Sequence, residues 1–295
     1  MKIKQKNTID MTHGTLWNKL LIFALPLAAS SILQQLFNSV DTAVVGRFAS
    51  SRALAAVGSN SSLIALMINL FIGISLGSNV IISRYIGQKA EEHVKAAIHT
   101  AIVVALCSGI FVLVLGQFIA RPVLTLMGTP KDVLDLAVLY LRIYFLGMPF
   151  IMLYDFSSSI LRSIGDSRRP LYALIAAGII NTGLNLILVI VFHLGVSGVA
   201  IATVVSNIVS SGILFYILLH EQEPIRVRLC GLSIDWGELK KILIIGVPLG
   251  VIAGYKGGMI DGITMRMVDI VCTFPSSLVG LAVVGILDPG LQNIM

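Results

Sequence analysis

The chain has 295 residues, 56% of them hydrophobic and only 12% charged, with a formal net charge of +6 and a mean hydropathy of +0.93. Soluble domains carry about 25% charged residues, so a surface this poor in charge must be solvated by lipid. The basic excess lies in polar segments beside apolar runs, which excludes a nucleic-acid footprint. No Walker-type phosphate loop or nucleophile–base arrangement supports an enzyme, and none of Cys107, Cys230 and Cys272 has metal or redox spacing.

Residues 1–16 form a polar N-terminus that lacks the short basic start and apolar core of a cleaved signal peptide. A bilayer core requires roughly 20 apolar helical residues. Six such segments follow, at 17–45, 53–82, 96–119, 136–160, 171–192 and 198–219. A polar stretch, 220–241, separates them from a seventh apolar run near Ile242 and a short eighth over 277–287. The reading is an all-α integral membrane protein with a six-helix lobe (17–219), an interlobe linker (220–241) and one or two further membrane segments (242–295). Cys107, inside an apolar run, reads as inert packing.

Fourteen lysines and arginines fall in the N-terminus and in the second, fourth and sixth loops, against four (Arg47, Arg52, Arg121, Lys131) in the loops between. Basic loops stay cytoplasmic, so the expectation is a multi-pass plasma-membrane protein with its N-terminus inside. Residues 18–28 (NKLLIFALPLA) and 240–250 (KKILIIGVPLG) share five of eleven positions, among them Lys19/Lys241 and Pro26/Pro248. Six helices separate the copies, so both enter the membrane in one direction, as in transporters with two equivalent lobes. Chance similarity of two apolar segments is the competing reading.

Polar groups inside membrane helices face a bundle interior or a water cavity. In the first segment Gln34, Asn38 and Asp41 fall within an arc of about 60°. Asp41 is the ionisable member, a candidate for loading and releasing an ion; the alternative is a hydrated Asp near the outer helix end. Asn181 and Asn185 share a face of the fifth segment, as do Thr203, Asn207 and Ser210 of the sixth. These side chains either line a shared cavity or simply hydrogen-bond the bundle together. Pro26 kinks the first helix, as a hinge or as static packing. Asp155 reads as a loop-anchoring charge near a helix end.

The stretches LPLAASSILQQLFNSVDTAVVGRF, SRYIGQ (83–88), ILRSIGDSRRPL (160–171), NTGLNL (181–186) and GVSGVAIATVVSN (195–207), in this order, resemble the N-terminal lobe of the multidrug and toxic compound extrusion family. The resemblance covers about residues 10–250. It implies one six-helix lobe of a two-lobed antiporter that exports cationic or amphipathic drugs against protons or sodium ions, without a cofactor. By position it implies Asp41 as the coupling acid, Pro26 as a hinge, and Asn181 as a cavity residue. Asn185 matches a position that is Asp in many members, which leaves Asp41 as the main titrating group.

Over 246–295 the motifs AGYKGGMID, MRMVDI, FPSSL and ILDPGLQN instead resemble a dipeptide/oligopeptide ABC-importer permease, suggesting a chimeric or truncated chain. A single lobe would then need a homodimer or another partner in the bilayer to cover its polar face. The competing functions are a permease fragment needing an ATPase, a lipid-linked-sugar flippase, and a remnant that transports nothing.

Overall fold

The computed structural model describes residues 16–256. Every element among them is helical: α1 (Leu16–Phe48), α2 (Ser51–Gly87), α3 (Glu91–Leu126), α4 (Lys131–Leu146), α5 (Met148–Ser163), α6 (Arg168–Leu186) running into a π-helical turn (Ile187–Val191), α7 (Gly195–Leu219) and α8 (Trp236–Lys256), with a short 3-10 turn at Leu229–Gly231. The six apolar segments thus become helices. Among the described residues, Ser51–Gly87, Glu91–Leu126, Arg168–Val191 and Gly195–Leu219 are each long and apolar enough to cross a membrane. The fourth segment is not one straight helix: α4 and α5 are long and apolar enough to cross a membrane only when taken together, and they meet at a bend of 48°.

Local chemistry explains the bend. Pro149 lacks an N–H, and its ring would clash with the carbonyl four residues back in a continuous helix, so the helix breaks at Gly147. Neighbours then occupy the space that small residues leave. A Cβ on Gly147 would stand 3.1 Å from Val204 of α7, one on Gly109 would meet the Pro149 backbone, and one on Gly116 would fall on the Phe145 ring. Ile98, Ile102, Leu141, Phe145, Met152 and Phe156 are fully buried between α3, α4 and α5.

The outer surface is apolar. Ile110, Phe111, Val114 and Phe118 make an exposed stripe along α3 at helical spacing, as a lipid-facing side requires. Cys107 lies on that exposed side, a correction to the packed position expected from its apolar surroundings: every side of a membrane helix is apolar, so hydropathy alone does not mark the inward one.

One end of the bundle is stapled by charge. Asp166 is wholly buried in the α5–α6 turn, accepts the backbone N–H groups of Arg168 (3.0 Å) and Arg169 (3.1 Å), and pairs with the Arg169 guanidinium. Arg169 also pairs with Glu221, just after α7. The Ser167 hydroxyl donates to the Phe23 carbonyl of α1 at 3.0 Å. Three helices are thereby tied at one end.

The polar linker ends earlier than expected. Asp235 accepts from the Glu238 N–H at 3.0 Å and caps a helix that starts at Trp236, ahead of the apolar run at Ile242. Both copies of the repeat therefore sit in helices with an internal proline, Pro26 in α1 and Pro248 in α8. The permease-like motifs from residue 257 onward, the eighth apolar run and the N-terminal 15 residues lie outside the described residues.

Candidate functional site

Asp41 is placed by a glycine. Gly178 of α6 has no side chain where the Phe37 ring of α1 rests, and a Cβ there would fall on the ring. From this contact the two helices run in the same direction. Asp41 lies one turn beyond Phe37, while Asn181 and Asn185 lie one and two turns beyond Gly178, so the carboxylate meets the two amides.

Asn185 is the hub. Its Nδ2 donates to Asp41 Oδ1 and, at 3.1 Å, to Asn181 Oδ1. Thr203 of α7 closes the ring: its hydroxyl stands 3.5 Å from Asp41 Oδ2, and Asn181 Nδ2 reaches the same hydroxyl at 3.5 Å. Asn185 is 0% exposed and Asn181 5%, whereas Asp41 and Thr203 are half-buried. The Asn185 Oδ1 is buried with no hydrogen-bond partner among the described residues. Just beyond Asn185 the α6 helix widens into its π-helical turn, a feature frequent at functional sites.

Of the other residues singled out in the sequence, Gln34 and Asn38 are exposed on α1 and make no side-chain hydrogen bond to this cluster. Asn207 donates to the Thr203 carbonyl at 2.9 Å, one turn away on its own helix. Pro26 is buried in α1, and its carbonyl accepts the Ser30 hydroxyl at 2.9 Å.

Sequence reasoning missed two tyrosines. Tyr140 and Tyr144 of α4 stack with ring centroids 6.0 Å apart, and both lie within electrostatic reach of Asp41. Their i, i+4 spacing in an apolar run was the available signal. Asp155, read as a loop anchor, is instead a half-buried residue inside α5 that acts electrostatically on Tyr144.

The arrangement combines a carboxylate with amide and hydroxyl oxygens from three helices. Such a set can take a proton on Asp41, or hold a hard cation through oxygen ligands. Among the described residues the fold is a bundle of membrane-length helices in which the Asp41 carboxylate of α1 is held by side chains of α6 and α7. The chain belongs to the MatE family, which it matches over residues 26–187.

It is 35% identical over 252 residues to the probable multidrug resistance protein YoeA of Bacillus subtilis, covering 83% of this chain and 54% of that protein. The chain thus spans about half the length of that relative. An outward-facing multidrug resistance MATE family transporter of the MOP superfamily matches with a TM-score of 0.74 and 25% identity over 80% of this chain and 52% of its own. An inward-facing one matches with a TM-score of 0.68 and 23% identity, over 81% and 56%.

Proposed function

We propose that this chain serves secondary active multidrug efflux: export of cationic or amphipathic molecules in exchange for protons or sodium ions, with Asp41 as the coupling group. The observation that carries the reading is the half-buried Asp41 carboxylate shared between Asn185 and Thr203 in a lobe of the MatE family. An ion arriving at Asp41 competes with both donors, so loading loosens α1 from α6 and α7, and release restores the hold. Phe37 on Gly178 keeps the helices in register throughout. Pro26, where α1 lacks a backbone hydrogen bond, is the place for α1 to bend.

The chain sits in the plasma membrane with its N-terminus cytoplasmic, as the basic loops indicate. Alternating access works by one repeat rocking against another around a central site. Gln34, Asn38 and Asn207, beside the Asp41 cluster, belong to the surface that meets the transported molecule. A second copy of the chain is a proposed partner for this face.

The test is efflux of a fluorescent cationic dye from cells or vesicles holding this chain, with a proton gradient, a sodium gradient or neither. Gradient-driven efflux that Asp41→Asn abolishes, at unchanged amounts in the membrane, is the expected result. Efflux retained by Asp41→Asn would remove Asp41 from the coupling role, and absence of efflux under both gradients would count against transport by this chain.

A further inference from the structure

Among the described residues, α2 packs backbone to backbone along α8, the helix that carries the second copy of the repeat. Gly73 and Gly77 of α2 face Gly246 and Gly250 of α8, each pair four residues apart. A Cβ at Gly73 would meet the Gly250 backbone, one at Gly77 the Ile242 carbonyl, and one at Gly246 the Ile74 backbone. Small residues spaced in this way let two helix backbones touch in a membrane. At these four glycines backbone meets backbone, with Ile74 and Ile242 buried beside them.

A polar cluster closes the seam at the end where the linker enters. The Tyr85 hydroxyl of α2 donates to Glu238 Oε1 at 2.9 Å, and Lys241 Nζ donates to the same carboxylate oxygen at 2.8 Å and to the Tyr85 hydroxyl at 2.7 Å. Glu238 is only 3% exposed, yet its second oxygen, Oε2, is buried with no hydrogen-bond partner among the described residues. The first turn of α8 is also pinned to α3, because the Asp235 N–H donates to the Thr100 hydroxyl at 3.0 Å.

A buried charge with one partner removed is costly, so the trio holds the seam shut. A half-satisfied carboxylate also regains full hydration when it opens, so the closed state is only moderately favoured.

We propose that the α2–α8 seam is the contact surface between the two halves of the transporter on its cytoplasmic side. Tyr85, Glu238 and Lys241 are its latch, made while the Asp41 site faces outward and broken when the cytoplasmic side opens. The proposal rests on the two-lobed transport reading given above.

Ile242 reports on the latch. It is wholly buried, one turn beyond Glu238, and its carbonyl lies against Gly77. In the full chain with Cys107, Cys230 and Cys272 replaced by Ser, Ile242→Cys is labelled with a membrane-impermeant maleimide in inside-out vesicles, without drug or gradient. Labelling is slow with the latch intact and roughly tenfold faster in Glu238→Gln, the size expected for losing a charge-assisted hydrogen bond.

Tyr85→Phe, which removes only a hydroxyl, carries the same test if Glu238→Gln does not reach the membrane. The charge exchange Glu238→Lys with Lys241→Glu restores slow labelling. Equal rates in the intact and latch-deficient chains overturn the latch, and fast labelling of the intact chain overturns the closed seam. Because labelling needs no transport, absent dye efflux with a working latch would count against the transport reading alone.

Discussion

Asn185 spends one amide group on two acceptors, Asp41 and Asn181, and this double duty makes it the most sensitive residue of the cluster. Asn185→Leu is expected to cost about 1–3 kcal/mol, because both acceptors stay in place without their donor. The measurement is thermal unfolding of the detergent-solubilised chain. An unchanged midpoint would show that Asp41 and Asn181 find other donors. Thr203→Val should cost less, since its contact to Asp41 is long at 3.5 Å and its hydroxyl also donates to the Val199 carbonyl at 3.0 Å. The members of this cluster were legible from helical spacing: Asp41, Asn181, Asn185 and Thr203 are polar residues in apolar runs. Their partnership was not, because spacing orders residues around one helix and leaves open which helix it meets. Asn38 shows the consequence. It lies about 100° around α1 from Phe37, against about 40° for Asp41, so the edge of the polar arc that follows Phe37 onto α6 is buried while Asn38 remains exposed.

Among the elements, α1 depends on one shape match. Gly178→Ala puts a methyl group where the Phe37 ring lies, and overpacking of this kind costs about 1–3 kcal/mol. Phe37→Leu in the same chain should recover part of the loss, since a smaller side chain makes room. Failure of that rescue would show that α1 is held mainly elsewhere, for instance by Ser167 on the Phe23 carbonyl. The α5–α6 turn depends on charge instead. Asp166→Asn leaves the Arg169 guanidinium, 18% exposed, with Glu221 as its remaining carboxylate. Breaking a buried pair from one side costs about 3–5 kcal/mol, so thermal unfolding should show a larger drop than for Gly178→Ala. A comparable or smaller drop would mean that Glu221 alone neutralises Arg169. The bend between α4 and α5 was less legible than either feature. Its Gly147 and Pro149 stand in the sequence as helix-breaking signals, but they are embedded in a run apolar enough to read as one span. The break became visible only through the residues that fill it, Val204 and Gly109.

At the scale of the whole molecule, the membrane-length helices and their order followed from hydropathy, because a bilayer fixes both the length and the composition of a span. The repeat that pairs Pro26 with Pro248 was equally open to reading, whereas the packing of α8 along α2 was not. A glycine in an apolar run looks the same whether it faces lipid or another backbone. Orientation in the bilayer is a separate property of the whole chain, and the linker offers a natural reporter for it. Cys230 is exposed in the 3-10 turn between α7 and α8, beside Arg226 and Arg228. Cys107 is exposed too, but on the apolar side of α3 next to Ile110 and Phe111. If the basic segments are cytoplasmic, a charged, impermeant thiol reagent should label Cys230 in inside-out vesicles and leave it unmodified in right-side-out ones. Cys107, facing hydrocarbon, should resist the reagent in both preparations and react only with a lipid-soluble maleimide. A cysteine in place of Lys131, on the opposite set of loops, should show the reverse sidedness from Cys230. Labelling of Cys230 from the outside would invert the topology and place the latch of Tyr85, Glu238 and Lys241 on the external face, because it lies at the same end of the bundle as the linker that carries Cys230.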